Sequence, residues 1–294
     1  MAQATLMFGL GATRAGTSWL NRYLTDHPEC HLREVKEAHY FDTLERGSHD
    51  WRIRQLLTRR AELAARLRDA GAAAQRARLE RNIAAHDALI ALFERRQADH
   101  AAYLAYLENG RAAEARVIGE ITPAYSLLPE PRLHEMRRLA PVVRFFYVLR
   151  DPVARLWSNI RQTAPTRPEG RADPAGAARA MMDRWLAGGE AEIDRRCDYR
   201  GALERIFAAI PAGERLILFY ETLFSEASIR RLTGFLGIGY VVPDTARRVY
   251  EGVSLALDPA LAAAAREKLA PQYAYVRDTF GELPPGWAAQ QPEV

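Results

Sequence analysis

The apolar run Thr5-Leu6-Met7-Phe8-Gly9-Leu10 leads directly into Gly11-Ala12-Thr13-Arg14-Ala15-Gly16-Thr17-Ser18, after which apolar residues return at helical spacing. Few folds accept that order. An uninterrupted apolar run suits a strand buried on both faces, as in a parallel sheet. Trp19, Leu20, Tyr23 and Leu24 share one face of a helix that His27-Pro28 ends. Strand, glycine loop and helix in this order bring unpaired backbone N–H groups and the positive end of a helix dipole to one spot. Such a spot binds an anion, and glycine lets the backbone approach it closely.

Gly11-x4-Gly16-Thr17-Ser18 has the glycine spacing of the nucleoside-triphosphate loop G-x4-G-K-[ST], with Thr17 where that loop has its lysine. The nearby cation is Arg14, inside the loop. Beyond it the alternation continues. Val117-Ile118-Gly119 and Val142 to Leu149 read as strands, and so does Leu216 to Tyr220. Helices follow Pro129 through Leu139 and surround Ile229 to Leu236, and a short segment near Val35 to Phe41 precedes the hydrophilic turn Glu45-Arg46-Gly47-Ser48. Strands alternating with helices predict an α/β, P-loop-like, three-layer fold: a central, mostly parallel sheet with its ligand site at the carboxyl edge.

Residues 52–100 contain thirteen Ala and eleven Arg, with apolar stripes on either side of Gly71. The expectation is a helical hairpin, 52–108, inserted into a single domain, 1–294. Six acids are interspersed along residues 52–100, so the segment carries +5 against +4 for the whole chain. It is either a surface for an anionic partner or the solvated face of an Arg-rich helix pair. At 294 residues, 48% hydrophobic and 27% charged, the chain is too rich in apolar residues for disorder. Cys30 and Cys197 stand too far apart for a metal-ligand spacing or a disulfide framework, so no metal site is expected and a reducing compartment is. With no apolar run of bilayer length and no signal-peptide pattern, the expected protein is soluble and cytoplasmic, without an integral membrane segment.

A second cluster stands at Arg150-Asp151-Pro152-Val153-Ala154-Arg155-Leu156-Trp157-Ser158. Asp151 is placed to cap a helix whose first residue is Pro152. Arg150 at the strand end and Ser158 two turns into the helix could meet over one phosphate.

Together these pieces resemble the sulfotransferases that use 3′-phosphoadenosine-5′-phosphosulfate (PAPS). Arg14-Ala15-Gly16-Thr17-Ser18-Trp19-Leu20 is similar to the family's 5′-phosphosulfate loop, K-x-G-T-[ST]-x-L, and Arg150 through Ser158 is similar to its 3′-phosphate motif. Lys36-Glu37-Ala38-His39-Tyr40-Phe41-Asp42 and Gly119-Glu120-Ile121-Thr122-Pro123-Ala124-Tyr125 resemble the family too, as do Tyr199 with Leu203 and the stretch Phe219 to Gly237. The resemblance implies PAPS as cofactor, with 3′-phosphoadenosine-5′-phosphate (PAP) as product. It implies cofactor binding by Arg14, Ala15, Gly16, Thr17, Ser18, Trp19, Arg150, Ser158 and Tyr199. Glu37 is cast as the base, His39 is its rival, and Glu120 orients the acceptor or shares the base role. The acceptor is a small molecule, a carbohydrate or a lipid head group; no nucleic-acid partner is expected.

Three departures stand out. Arg14 replaces the lysine that contacts the bridging oxygen; arginine keeps the charge but does not readily give up a proton, so leaving-group assistance is electrostatic or falls to another residue. Ile121 occupies a position that is lysine in many carbohydrate-acting members. The loop Gly252 to Asp258 lacks the basic residue that often covers the nucleotide. The competing readings are a nucleoside-triphosphate phosphotransferase of similar fold and a catalytically silent nucleotide-binding module.

Overall fold

In a computed structural model, which describes residues 4–244, 255–284 and 286–287, the first apolar run is β1 (Thr5–Gly11), and every residue of it after Thr5 is buried. The glycine loop leads into α1 (Thr17–Asp26), then β2 (Cys30–Leu32) and α2 (Tyr40–Arg46). Three helices follow, α3 (His49–Arg68), α4 (Ala73–Glu94) and α5 (His100–Glu108), before β3 (Val117–Ile121). Next come α6 (Glu130–Arg137), β4 (Val143–Leu149) and α7 (Pro152–Thr163). The remaining elements are α8 (Pro174–Leu186), α9 (Ala191–Cys197), α10 (Tyr199–Ala209), β5 (Arg215–Phe219), α11 (Tyr220–Leu223), α12 (Glu226–Leu236), α13 (Pro259–Lys268) and α14 (Ala270–Phe280).

The strands form one sheet in the order β2-β3-β1-β4-β5, and every pair is parallel. The predicted α/β fold is therefore observed. β1 lies between β3 and β4, so the connection from β3 to β4 passes over it. The strand order reverses there, and the carboxyl ends of β1, β3 and β4 open onto the crevice where such sheets bind ligands. Phe8 of β1 stacks on Phe145 of β4 with ring centroids 5.6 Å apart, and burying each such side chain contributes roughly 1.5–3 kcal/mol. No helix among the described residues is long and apolar enough to cross a membrane.

Val35 to Phe41 adds no strand; it is a loop that turns into α2, and β2 lies earlier, at Cys30–Leu32. That strand is short because it sits at the edge of the sheet, paired with β3 alone. The Ala- and Arg-rich segment forms α3 and α4, joined by a turn at 69–72. Arg60 pairs with Asp87 and Asp50 with Arg96, so the start of α3 meets the end of α4 and the two run antiparallel. Leu63, Ala70 and Leu79 form a separate cluster at the tip, whereas Leu56, Leu89, Phe93, Tyr103 and Leu107 belong to the main core.

Gly119 in β3 has φ +148°, and a Cβ there would stand 1.9 Å from the Met7 carbonyl oxygen of the adjacent strand. Backbone cannot move aside as a side-chain tip does. Gly119→Ala is therefore expected to destabilise the chain by about 2–5 kcal/mol in urea unfolding, through backbone strain and overpacking combined. A loss below about 1 kcal/mol would show that β3 can shift relative to β1.

Candidate active site

Gly16 precedes α1 in the left-handed conformation, φ 81°, and no side chain caps the helix. A Cβ at this position would meet Leu223 Cδ2 at 2.9 Å, and at this φ a residue with a side chain is strained. Arg14 is left-handed as well, at φ 69°. Its Nε donates to Ser158 Oγ at 2.9 Å. From the end of β4, the Arg150 guanidinium donates to the Arg14 carbonyl at 2.8 Å and lies 4.4 Å from the centre of the Tyr220 ring. The loops after β1 and β4 are thereby joined. Asp151 caps α7 by accepting the Ala154 N–H at 2.8 Å, with Pro152 in the first turn, which fixes where Arg150 leaves the sheet.

Tyr199 is fully buried. Its hydroxyl donates to the Arg150 carbonyl at 2.8 Å and accepts the Arg150 N–H at 3.2 Å. It supports Arg150 from behind and does not line the cavity described below, so the geometry offers it no purine contact. Trp19 lines the cavity but is 8% exposed. It lies parallel to Tyr23 at 5.7 Å and edge-on to Phe224 at 5.0 Å, and its Nε1 donates to the Asp244 carbonyl at 3.3 Å. Of the late loop, Gly252, Val253 and Ser254 lie outside the described residues.

Over these loops opens a cavity of about 1410 Å³, larger than the pocket for a single small ligand. Lys36 and six arginines line it, opposed by two carboxylates, Glu37 and Glu192. A concave surface of one sign concentrates the opposite charge. Burial pushes the guanidinium pKa of Arg52 and of Arg196 downward. Within 52–108, Arg52 is the one arginine among the described residues that lines this cavity. Arg59, Arg60, Arg95 and Arg96 pair with acids instead.

The segment Lys36 to Asp42 forms the opposite wall. Glu37 and His39 both have left-handed backbones, φ 59° and 58°, costly for residues with side chains and maintained only by strong surroundings. Lys36 Nζ donates to Glu37 Oε1 at 2.7 Å and to Ser18 Oγ at 2.8 Å. His39 Nε2 lies 3.5 Å from Glu37 Oε2, and its Nδ1 donates to Asp42 Oδ2 at 2.9 Å. Burial opposes charge on both Glu37 and His39, but their hydrogen bonds outweigh it. His39 and Lys36 hold the Glu37 carboxyl down at about 2, and Asp42 and Glu37 lift the imidazole to about 9. At neutral pH the pair is a carboxylate beside an imidazolium, so Glu37 can receive a proton and His39 cannot.

Glu120 stands apart from this chemistry. It is 5% exposed and accepts from the Ala38 N–H at 2.7 Å, Thr122 Oγ1 at 2.6 Å, Tyr125 Oη at 2.7 Å and the Tyr103 hydroxyl. Both oxygens are engaged, which leaves it a support for the Glu37 loop. Arg52 supports the same loop from α3, its guanidinium donating to the Glu37 carbonyl at 2.6 Å.

Arg14, Gly16, Thr17, Ser18, Trp19, Glu37, His39, Arg150 and Ser158 thus meet around one cavity, while Ala15, Glu120 and Tyr199 lie behind it. The sequence reading gave no role to Asp42, Lys36 or Arg52. Asp42 and Lys36 belong to the motif at 36–42; nothing in the order of residues marks Arg52 among the other arginines of its segment.

The chain matches the model of the Sulfotransferase family over residues 7–241. Among solved structures, the sulfotransferase from Alicyclobacillus acidocaldarius shares 21% identity and a TM-score of 0.62, over 98% of this chain and 100% of that one. The sulfotransferase domain from the curacin biosynthetic pathway shares 17% identity and a TM-score of 0.50, over 97% and 100%. No curated protein matches the chain. At these identities the structural likeness establishes the fold, and the match across most of the sequence establishes that the chain belongs to the sulfotransferase family.

Proposed function

We propose that this chain transfers a sulfuryl group from PAPS to a hydroxyl or amine acceptor by in-line displacement, with Glu37 taking the acceptor proton. Membership of the family carries sulfuryl transfer in general; the donor and the roles below are inferred from the site. One observation carries the reading: Arg14 bonds Ser158 at 2.9 Å while Arg150 bonds the Arg14 carbonyl at 2.8 Å. The loops after β1 and β4 are thereby tied together, which suits a ligand that offers an anionic group to each.

The residues present fit that ligand. Gly16 takes the left-handed turn that starts α1, and no side chain caps the helix, so its first-turn amides are available to an incoming anion. When bound, PAPS would supply the sulfuryl group, a phosphate leaving group and a 3′-phosphate handle. Arg150 and Ser158 would hold the 3′-phosphate, a guanidinium fork and a hydroxyl both suiting its oxygens. Thr17, Ser18 and the loop amides would face the phosphosulfate, and charge developing there would be met by dipoles already in place. Glu37 lies on the far wall beside Lys36, with Trp51, Arg52 and Gln55 of α3 lining the same cavity, and this is where the acceptor would enter.

The protein is expected to bind PAP about ten- to a hundred-fold more tightly than adenosine 5′-phosphate, the value of a charge-assisted contact made to a site built for it. Isothermal titration of the two nucleotides measures this; equal affinities would remove the 3′-phosphate assignment. Glu37→Gln is expected to leave PAP binding nearly intact while lowering turnover roughly 10²–10⁴-fold, since the amide keeps the shape but cannot take a proton. Retained activity in Glu37→Gln would pass the role elsewhere.

The ion pair also sets a pH window. The His39 imidazole is raised from its ordinary 6.5 to about 9, so its contribution to stability is complete below about 6.5 and is lost as pH rises through about 9. Glu37, lowered from 4.5 to about 2, contributes above about 4.5 and is lost as pH falls through about 2. NMR titration of the His39 ring is expected to give a midpoint well above 7, and Asp42→Asn to bring it down. A midpoint near 6.5 in the unaltered protein would refute the imidazolium assignment.

A further inference from the structure

Arg14 occupies the position from which a lysine would attend the leaving oxygen, yet its Nε is directed across the loop to Ser158, on the 3′-phosphate side. Its planar guanidinium does not give up a proton in proteins. The ammonium nearest the other end of the loop comes from elsewhere in the chain. Lys36 reaches back from the segment before α2 and donates to Ser18 Oγ at 2.8 Å, and Ser18 is the second residue of the uncapped helix. The same ammonium donates to Glu37 Oε1 at 2.7 Å. Lys36 therefore touches the anion-binding end of α1 and the proposed base at once. Its side chain is about one-third exposed, at 31%, and it lines the large cavity.

We propose that Lys36 is the catalytic cation of the leaving group, assuming the post that Arg14 fills only electrostatically. The assignment rests on the PAPS reading above. In the step it implies, the acceptor O–H proton passes to the Glu37 carboxylate while the acceptor oxygen bonds sulfur. The bond between sulfur and the bridging oxygen breaks, and its electron pair stays on the phosphate oxygen. Lys36 gives that oxygen a proton, and protonated Glu37 restores the proton to Lys36 across their contact. The products are sulfated acceptor and PAP, both side chains end as they began, and nothing is oxidised or reduced.

The exchange also answers a difficulty in the resting site. A carboxyl held at about 2 is a poor proton acceptor, and Lys36 is one of the two groups holding it there. As the ammonium turns from Glu37 to the leaving oxygen, Glu37 loses a cationic partner and becomes more basic at the moment it must take a proton. One movement of one side chain serves both ends of the reaction.

Binding separates this from a structural role without any acceptor. Lys36→Met in the full chain is expected to weaken PAP about ten- to a hundred-fold while leaving adenosine 3′-phosphate, which lacks the 5′-phosphate, within about two-fold by the same titration. Lys36→Arg is expected to restore PAP affinity, since it restores charge, but not the release of sulfate from labelled PAPS to water, since it does not restore the proton. Unchanged affinity for 3′-phosphate nucleotide in the variants certifies that the site is folded, and Lys36→Gln provides a second neutral side chain. Loss of both ligands in equal measure, loss of neither, or full hydrolysis by Lys36→Arg would overturn the assignment. An unaltered protein that prefers PAP to adenosine 5′-phosphate, together with any of these results, would sink Lys36 alone; no such preference would sink the PAPS reading itself.

Discussion

A carboxylate buried at the end of a strand must be satisfied from inside the protein, because water cannot reach it. Glu120 is satisfied from four places: the backbone at Ala38, Thr122 beside it, Tyr125 after β3 and Tyr103 on α5. Those contacts knit the edge of the sheet, the Glu37 loop and the inserted helices into one unit. Taking away a donor would leave a buried charge short of a partner, a cost of a few kcal/mol. Tyr103 also stacks on Tyr40, with centroids 4.2 Å apart, and Tyr40 begins α2 immediately after His39. The strained backbone at Glu37 and His39 is therefore held from both sides by groups that have few alternative partners.

The cavity as a whole is governed by like charges. Arg14, Lys36, Arg52, Arg150 and Arg196 face one cavity, and their like charges repel one another. The fold offsets this with neutral acceptors: the Arg14 carbonyl for Arg150, the Glu37 carbonyl for Arg52 and the Thr13 hydroxyl for Arg196. None of these removes the positive potential. An anionic ligand does, so affinity for it includes relief of repulsion already present in the protein, and the same cations that would bind the donor would stabilise charge moving toward the leaving group.

Local features of this architecture could be read from residue order. β1, the glycine loop and α1 are encoded by an apolar run, a glycine pair and helical spacing within one short stretch, and Asp151-Pro152 announces a helix start that the structure reproduces. What depends on distant partners could not be read. Tyr199 looks like a residue for the nucleotide until its hydroxyl is found on the Arg150 backbone. Glu120 looks like a second base until its four donors are counted. Arg52 has no distinguishing neighbour in a segment of eleven arginines, because its meaning lies in the fold that carries α3 to the Glu37 carbonyl. β2 was invisible for a different reason: three residues at a sheet edge are too few to show a period.

The inserted helices are not uniform along their length. Their base shares the main core, while Leu63, Ala70 and Leu79 pack only with Leu67 and Ile83 at the tip. A small cluster separated from the rest can open without the remainder, since each cooperative unit has its own free energy of opening. The hairpin thus combines a root packed into the main core with a tip that has its own small cluster. Sequence change near residues 63–83 can accumulate with little penalty to the Glu37 loop, whereas change near Arg52 or Tyr103 is felt there directly. A lineage could therefore vary the far half of the hairpin while the wall of the cavity stayed the same, and the place to look for altered acceptor preference among sister proteins is the root, where Trp51, Arg52 and Gln55 line the cavity.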